Sequence, residues 1–285
     1  MMVALGLASC GEKKFKIEGQ VENAKDSLLY LESIGLEGPV AIDSVRLDDD
    51  GDFSFSAKQT EAPEFYRLRI GAQIINLAID STETVTVKAQ MPDMADHYTV
   101  EGSAECERIR QLAFMQMDLQ NKAIALQNNP GLNSQIVSDS ILKMVDAYKS
   151  KVKNDYIFKD PKAASSYFAL FQTLGNYLIF NPRNNRDDIR VFAAVATSWD
   201  TFYPGSVRGE NLHNIALTGM KNERIVDAEQ QEAQIDEKKI TTAGLIDISL
   251  QDNKGQMRSL SGLKGKVVML DFHVFGTKES PRRIL

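Results

Sequence analysis

From Phe15 onward, apolar and polar positions alternate through eight short stretches: FKIEGQV, SLLYLESI, VAIDSVRL, DFSFSAK, FYRLRIG, IINLAID, TVTVKAQ and HYTVEGS. A period of two puts every second side chain on one face, so each stretch predicts a half-buried antiparallel strand. Eight such strands between residues 15 and 103 predict a β-sandwich or barrel. Turn chemistry separates them. Asp48-Asp49-Asp50-Gly51-Asp52 predicts a hairpin, because Gly51 takes a positive φ cheaply and aspartates cap their own turns. The acidic run also resembles a calcium loop. It lacks the spaced glutamate and flanking helices of an EF-hand, and reads as a solvated hairpin tip.

At Ser103 the period lengthens to 3.6. Ser103 followed by Glu105 and Glu107 reads as an N-cap with early acids. Ile109, Leu112, Ala113, Met117, Leu119 and Ile124 form an apolar stripe, which Asn128-Asn129-Pro130-Gly131 stops. A second helix is expected over 134–158 and a third, apolar almost all round, over 163–180. A fourth covers 187–202 with the sole tryptophan, Trp199, and a fifth runs from 208 to about 238. Residues 15–103 therefore predict a β domain and 104–235 an α-helical region. The aromatic stripe Tyr167, Phe168, Phe171, Tyr177 and Phe180 is expected to pack in a core rather than line a ligand groove.

Charge and composition narrow the chemistry. A net charge of −6 over 285 residues argues against a nucleic-acid partner, which calls for a basic face. The three histidines, His97, His213 and His273, are widely spaced, and two cysteines, Cys10 and Cys106, make no disulfide framework. No metal or cofactor is expected. Cys106 sits between two glutamates that disfavour a thiolate, at a helix N-terminus that favours one; it is read as an inert helical residue.

The opening MMVALGLASC-GEKKF has an apolar run too short to span a bilayer, and it resembles the end of a signal-peptide apolar region. Leu7-Ala8-Ser9-Cys10 resembles a bacterial lipoprotein box. That resemblance implies cleavage before Cys10, lipidation of its thiol and a membrane anchor, with residues 1–14 as leader remnant and tether. Each buried acyl CH₂ contributes about 0.8 kcal/mol, so two or three chains anchor durably.

Gly19, Leu29-Tyr30-Leu31, Asp43-Ser44, Gly51-Asp52-Phe53-Ser54-Phe55 and Val100-Glu101-Gly102-Ser103 together resemble the N-terminal domain of unknown function (DUF4369 type) carried by thioredoxin-like lipoproteins of Bacteroidota. No catalytic residues attach to that domain. The resemblance implies a cell-envelope protein, lipid-anchored and facing the periplasm or the surface.

Residues 241–275, TTAGLIDISLQDNKGQMRSLSGLKGKVVMLDFHVF, carry a strand pattern, a hairpin turn at Asp252-Asn253-Lys254-Gly255, and a continuous apolar run, Val267 to Leu270, that suits a central strand buried on both faces. From Gly255 through Phe272 this resembles the start of a thioredoxin-like domain of the peroxiredoxin and cytochrome-c-maturation type. That family continues into W-A-x-W-C-x-x-C. Here His273 and Gly276 stand at the two tryptophans, and Thr277-Lys278-Glu279-Ser280 stands at the Cys-x-x-Cys. Thiol–disulfide exchange needs an attacking thiolate and a resolving thiol, and the hydroxyls of Thr277 and Ser280 supply neither. Helix N–H groups there would still bind an anion or peptide carbonyl, which makes His273, Gly276, Thr277, Lys278 and Ser280 candidate binding residues. No acid partner or oxyanion signature supports His273 as a base toward either hydroxyl.

Residues 236–285 hold about half of a thioredoxin core, and a half-sheet leaves an edge and an apolar face unpaired; the gene is expected to continue beyond both ends. The expected function is a redox-inactive envelope lipoprotein that binds a protein or peptide partner. The alternative is an envelope thiol–disulfide oxidoreductase, as its relatives are.

Overall fold

The structure is a computed structural model that describes residues 13–242 and 247–270. The chain divides into two compact units, up to Ile225 and from Val226. All eight expected strands form: β1 (Lys14–Glu22), β2 (Leu28–Gly35), β3 (Gly38–Arg46), β4 (Asp52–Lys58), β5 (Glu64–Ile70), β6 (Gln73–Ile79), β7 (Thr84–Gln90) and β8 (Tyr98–Glu101). They build two four-stranded sheets, ordered β4-β1-β7-β8 and β3-β2-β5-β6. The inward side chains of both sheets share one core, including Phe15, Ile17, Leu29, Leu68, Ile75, Val85 and Val87. Burying each such side chain contributes about 1.5–3 kcal/mol. Among the described residues no closed barrel forms, because each sheet keeps its own edges.

Two expectations about this region are corrected. The pairing is not antiparallel throughout: β1 and β7 run parallel, with Ile17 opposite Val85. The intervening strands β2, β3, β5 and β6 form the other sheet and act as the crossover that a parallel neighbour requires. The Asp48–Asp52 stretch is a turn but not a hairpin, because β3 and β4 lie in different sheets. Asp48 Oδ1 accepts the backbone N–H of Asp50 and of Gly51, both at 3.1 Å. Gly51 takes φ +72°, and a Cβ there would lie 2.2 Å from the Val21 carbonyl oxygen. Two independent constraints thus call for glycine.

The helical region starts where the period changes. Ser103 caps α1 (Ala104–Gln127) by accepting from the Cys106 N–H at 3.3 Å. Asn133 caps α2 (Ser134–Val152), which ends in a π-helical turn, Lys153–Ile157. Asn185 caps α4 (Arg186–Phe202), and α5 spans Val207–Thr242.

The third helix is shorter than expected. α3 covers only Ala164–Leu170, and the remainder folds into a two-residue ladder, β9 (Thr173–Leu174) against β10 (Tyr177–Leu178). Gly175, at φ +59°, and Asn176 make a tight turn. A continuous apolar run does not by itself distinguish a helix from buried extended chain.

A second core joins the outward face of the β3-β2-β5-β6 sheet to the helices. Phe65 and Ala78 from that face meet Ile109 and Leu112 of α1, Tyr167 of α3, Trp199 of α4 and Leu212 of α5. Tyr167 stacks between Phe65 and Trp199, with ring centroids at 5.1 and 4.9 Å. Each such pair adds about 0.5–1.5 kcal/mol beyond its burial. The first residue before α3, Ala163, offers no side-chain cap; Glu105 of α1 accepts the Ser165 N–H at 2.8 Å instead.

In the second unit, β11 (Ser249–Gln251) and β12 (Met257–Ser259) form the expected hairpin. Asp252 Oδ1 accepts the N–H of Lys254 at 2.9 Å and of Gln256 at 3.0 Å. The expectation for Val267–Leu270 is corrected. These residues form no strand and are exposed, Val267 fully so. A strand buried on both faces needs neighbours on either side, and β11 and β12 pair only with each other among the described residues.

Candidate functional site

The pleat of the β3-β2-β5-β6 sheet arranges its outward face in rows. Phe65 of β5 lies opposite Ala78 of β6, and both are covered by helices. In the next row Glu32, Arg67 and Asn76 are cross-strand partners. The row after that holds Tyr30, Arg69 and Ile74. Apolar residues therefore end where charged ones begin, and the helices stop covering the sheet near that line. A cleft of about 380 Å³ opens there. Its apolar wall comes from Ile34, Leu36, Phe65, Phe168 and Phe171, and its polar groups are Asn76, Gln116, Gln172, Arg208 and Asn211. Small-molecule sites usually measure about 300–1,000 Å³ and combine an apolar lining with a few placed polar groups.

Most of those polar groups are committed to the fold. Gln172 is buried; its Oε1 accepts the Tyr148 hydroxyl, and its Nε2 donates to the Leu112 carbonyl at 2.9 Å and to Gln116 Oε1 at 3.1 Å. Gln116 Nε2 donates in turn to the Thr173 carbonyl at 2.8 Å. Arg208, at the start of α5, donates to Glu64 Oε2 from Nε at 3.0 Å and from Nη2 at 2.7 Å. Nη2 also donates to the Ile34 carbonyl, and the guanidinium lies over the Phe65 and Tyr167 rings. Burial pushes the Tyr167 phenol above its ordinary range, an effect the Arg208 charge opposes. The Asn76 amide, by contrast, makes no side-chain hydrogen bond among the described residues and stays half-buried at the cleft.

Beside Asn76, Glu32 is held by two arginines. Arg67 Nε donates to Oε2, and Arg69 Nε donates to Oε1 at 2.7 Å. Burial alone would push the Glu32 carboxyl up, but the two guanidiniums outweigh it and hold it below its ordinary value. Arg69 also lies over the Tyr30 ring at 4.5 Å.

The aromatic stripe thus splits three ways. Tyr167, Phe168 and Phe171 line the cleft, Phe180 is fully buried, and Tyr177 points to solvent at 82% exposure. The expected core packing holds for Tyr167, Phe168, Phe171 and Phe180, the first three of which also border the cleft, and is corrected for Tyr177. Sequence reading missed Asn76, Gln116, Gln172 and Arg208. The one available signal was Gln172, a polar residue inside an otherwise apolar run.

Cys106 is fully buried, and its thiol donates to the Ala78 carbonyl at 3.1 Å. Burial pushes the thiol up to about 12, so thiolate is scarce at neutral pH. His213 pairs with Asp200 at 3.0 Å on an exposed surface, and His97 lines a separate shallow depression with Arg110. Among the described residues, no His, Cys, Asp or Glu group is arranged to hold a metal ion, and no helix is long and apolar enough to cross a membrane. Cys10, His273, Gly276, Thr277, Lys278 and Ser280 lie outside the described residues.

Residues 15–108 match the family model described as a domain of unknown function, DUF4369. The match covers both sheets and extends into the first turn of α1. No curated protein and no solved structure matches the chain.

Proposed function

We propose that this chain is a binding module of a lipid-anchored envelope protein, that it works without thiol chemistry, and that the cleft beside Asn76 is its working site. The observation that carries the reading is the cleft itself. An aromatic wall meets an uncommitted amide in a hollow of ligand size, and the surrounding polar network holds its shape. Preformed sites of this kind lose little on binding to reorganisation.

The lipoprotein-like Leu7-Ala8-Ser9-Cys10 supports the anchor. Thr277 and Ser280 at the positions of the thioredoxin-like cysteine pair support the loss of redox chemistry, as does the sealed thiol of Cys106. On this reading the segment after residue 236 is a degenerate thioredoxin-like start, and His273, Gly276, Thr277, Lys278 and Ser280 offer a second, peptide-binding surface. The similarity of Gly255–Phe272 to active thiol–disulfide oxidoreductases favours the rival reading.

An insulin-reduction assay on the full-length protein separates the two. The expected result is no turnover above the dithiothreitol background; turnover abolished by Cys106→Ser overturns the proposal. Radiolabelled palmitate supplied to the native cells is expected to mark the wild-type protein and not Cys10→Ser.

A further inference from the structure

We infer that the cleft takes a small amphipathic monocarboxylate, with its acyl chain against Phe168 and Phe171 and its carboxylate at Arg67. The inference rests on the proposal that the cleft is the working site, and it names the ligand class.

Charge is the first argument. Within the cleft, Arg208 is cancelled by Glu64. Arg67 in the row of Asn76 and Arg69 in the next row share the single carboxylate of Glu32. Two cations against one anion leave one positive charge on a sheet face that is otherwise apolar or neutral at this point. The two terminal nitrogens of Arg67 have no hydrogen-bond partner among the described residues, and its side chain is about a fifth exposed, at 21%. Planar guanidinium N–H groups on a partly desolvated surface match a carboxylate in geometry as well as charge.

The second argument is where hydrogen bonds are missing. Gln116 and Gln172 spend their amides on each other and on the backbone. A peptide laid in the cleft would bring N–H and C=O groups that find few partners, and each buried unpaired group costs about 1–3 kcal/mol. An acyl chain brings none. The Asn76 amide lines the cleft, and Arg67, its cross-strand partner on β5 and two residues along from Phe65, stands just outside that lining. A carboxylate reaching from the cleft to Arg67 would accept the Asn76 N–H.

Equilibrium dialysis of the full chain against decanoate and decanol tests this. One decanoate is expected per chain, bound about tenfold more tightly than decanol, the scale of one hydrogen bond to a charged group. Arg67→Gln is expected to lower decanoate affinity to that of decanol and to leave decanol unchanged. Arg69 still pairs Glu32 in that variant. Asn76→Asp, isosteric and anionic, is a second probe that keeps the packing; it is expected to repel decanoate and spare decanol. Leu36→Asp, on the exposed turn at the cleft, is expected to weaken both. Equal binding of both probes, lost in Leu36→Asp, overturns the carboxylate assignment and leaves the cleft as a site. Absence of decanoate binding, or binding unaffected by all three variants, overturns the inference outright.

Discussion

Arg208 and Glu64, 144 residues apart in sequence, meet through two hydrogen bonds from one guanidinium. The pair fastens the start of α5 to the start of β5 and fixes the polar wall of the cleft. Arg208 is almost fully buried, whereas Glu64 is about a third exposed, at 32%. Removing the arginine leaves Glu64 and the Ile34 carbonyl without their partner. Arg208→Ala is expected to cost about 3 kcal/mol, and Glu64→Gln less, since the amide keeps an acceptor for the same donors. Urea unfolding of the two variants checks both the size and the order.

Glu32 makes the acid limb of stability specific. Its carboxyl is held below the ordinary 4.5 by Arg67 and Arg69 against the opposing effect of burial. A carboxyl lowered in the folded state contributes stability that is present above 4.5 and is lost as pH falls through the folded value. Unfolding free energy is therefore expected to drop below pH 4.5. In Glu32→Gln that drop is expected to shrink, with stability at neutral pH lower by about 2 kcal/mol because two arginines lose their charged acceptor.

Cys106 is expected to resist thiol reagents in the native state at pH 8 and to react at once in guanidinium chloride. Its thiol is raised from 9.0 to about 12. A raised value means that the stability it contributes is fully present below 9 and is lost as pH climbs toward 12. Burial pushes the phenols of Tyr98 and Tyr148 up as well, so Cys106→Ala is expected to remove only part of the alkaline loss. A series of melts between pH 8 and 11 reads the difference.

Gly51→Ala is expected to destabilise the β domain by about 3 kcal/mol or more, because strain at positive φ and a clash with the Val21 carbonyl act together. Asp48→Ala, which removes only the side-chain acceptor of this turn, is expected to cost about 1 kcal/mol. Thermal melts of the two variants rank them.

The eight strands were legible because period-two alternation survives wherever one face is buried, as Phe53 and Phe55 show against Ser54 and Ser56. Sheet membership was not. Nothing local in Asp48–Asp52 distinguishes a hairpin from a passage between sheets, and the parallel contact of Ile17 with Val85 joins residues far apart in the chain. Ser103 announced α1 through its capping chemistry. The cleft was hidden for a different reason. It is assembled from β2, β5, β6, α1, α3 and α5, and its polar residues Asn76 and Arg208 look locally like any other strand or helix polar position.

The measurement that tests the account most directly is native mass spectrometry of the full chain purified gently from its native cells, beside Leu36→Asp prepared the same way. The account expects a small-molecule adduct on the wild-type chain that is missing from the variant. An adduct retained equally by both, or a bare chain from both, would contradict a working site at the cleft.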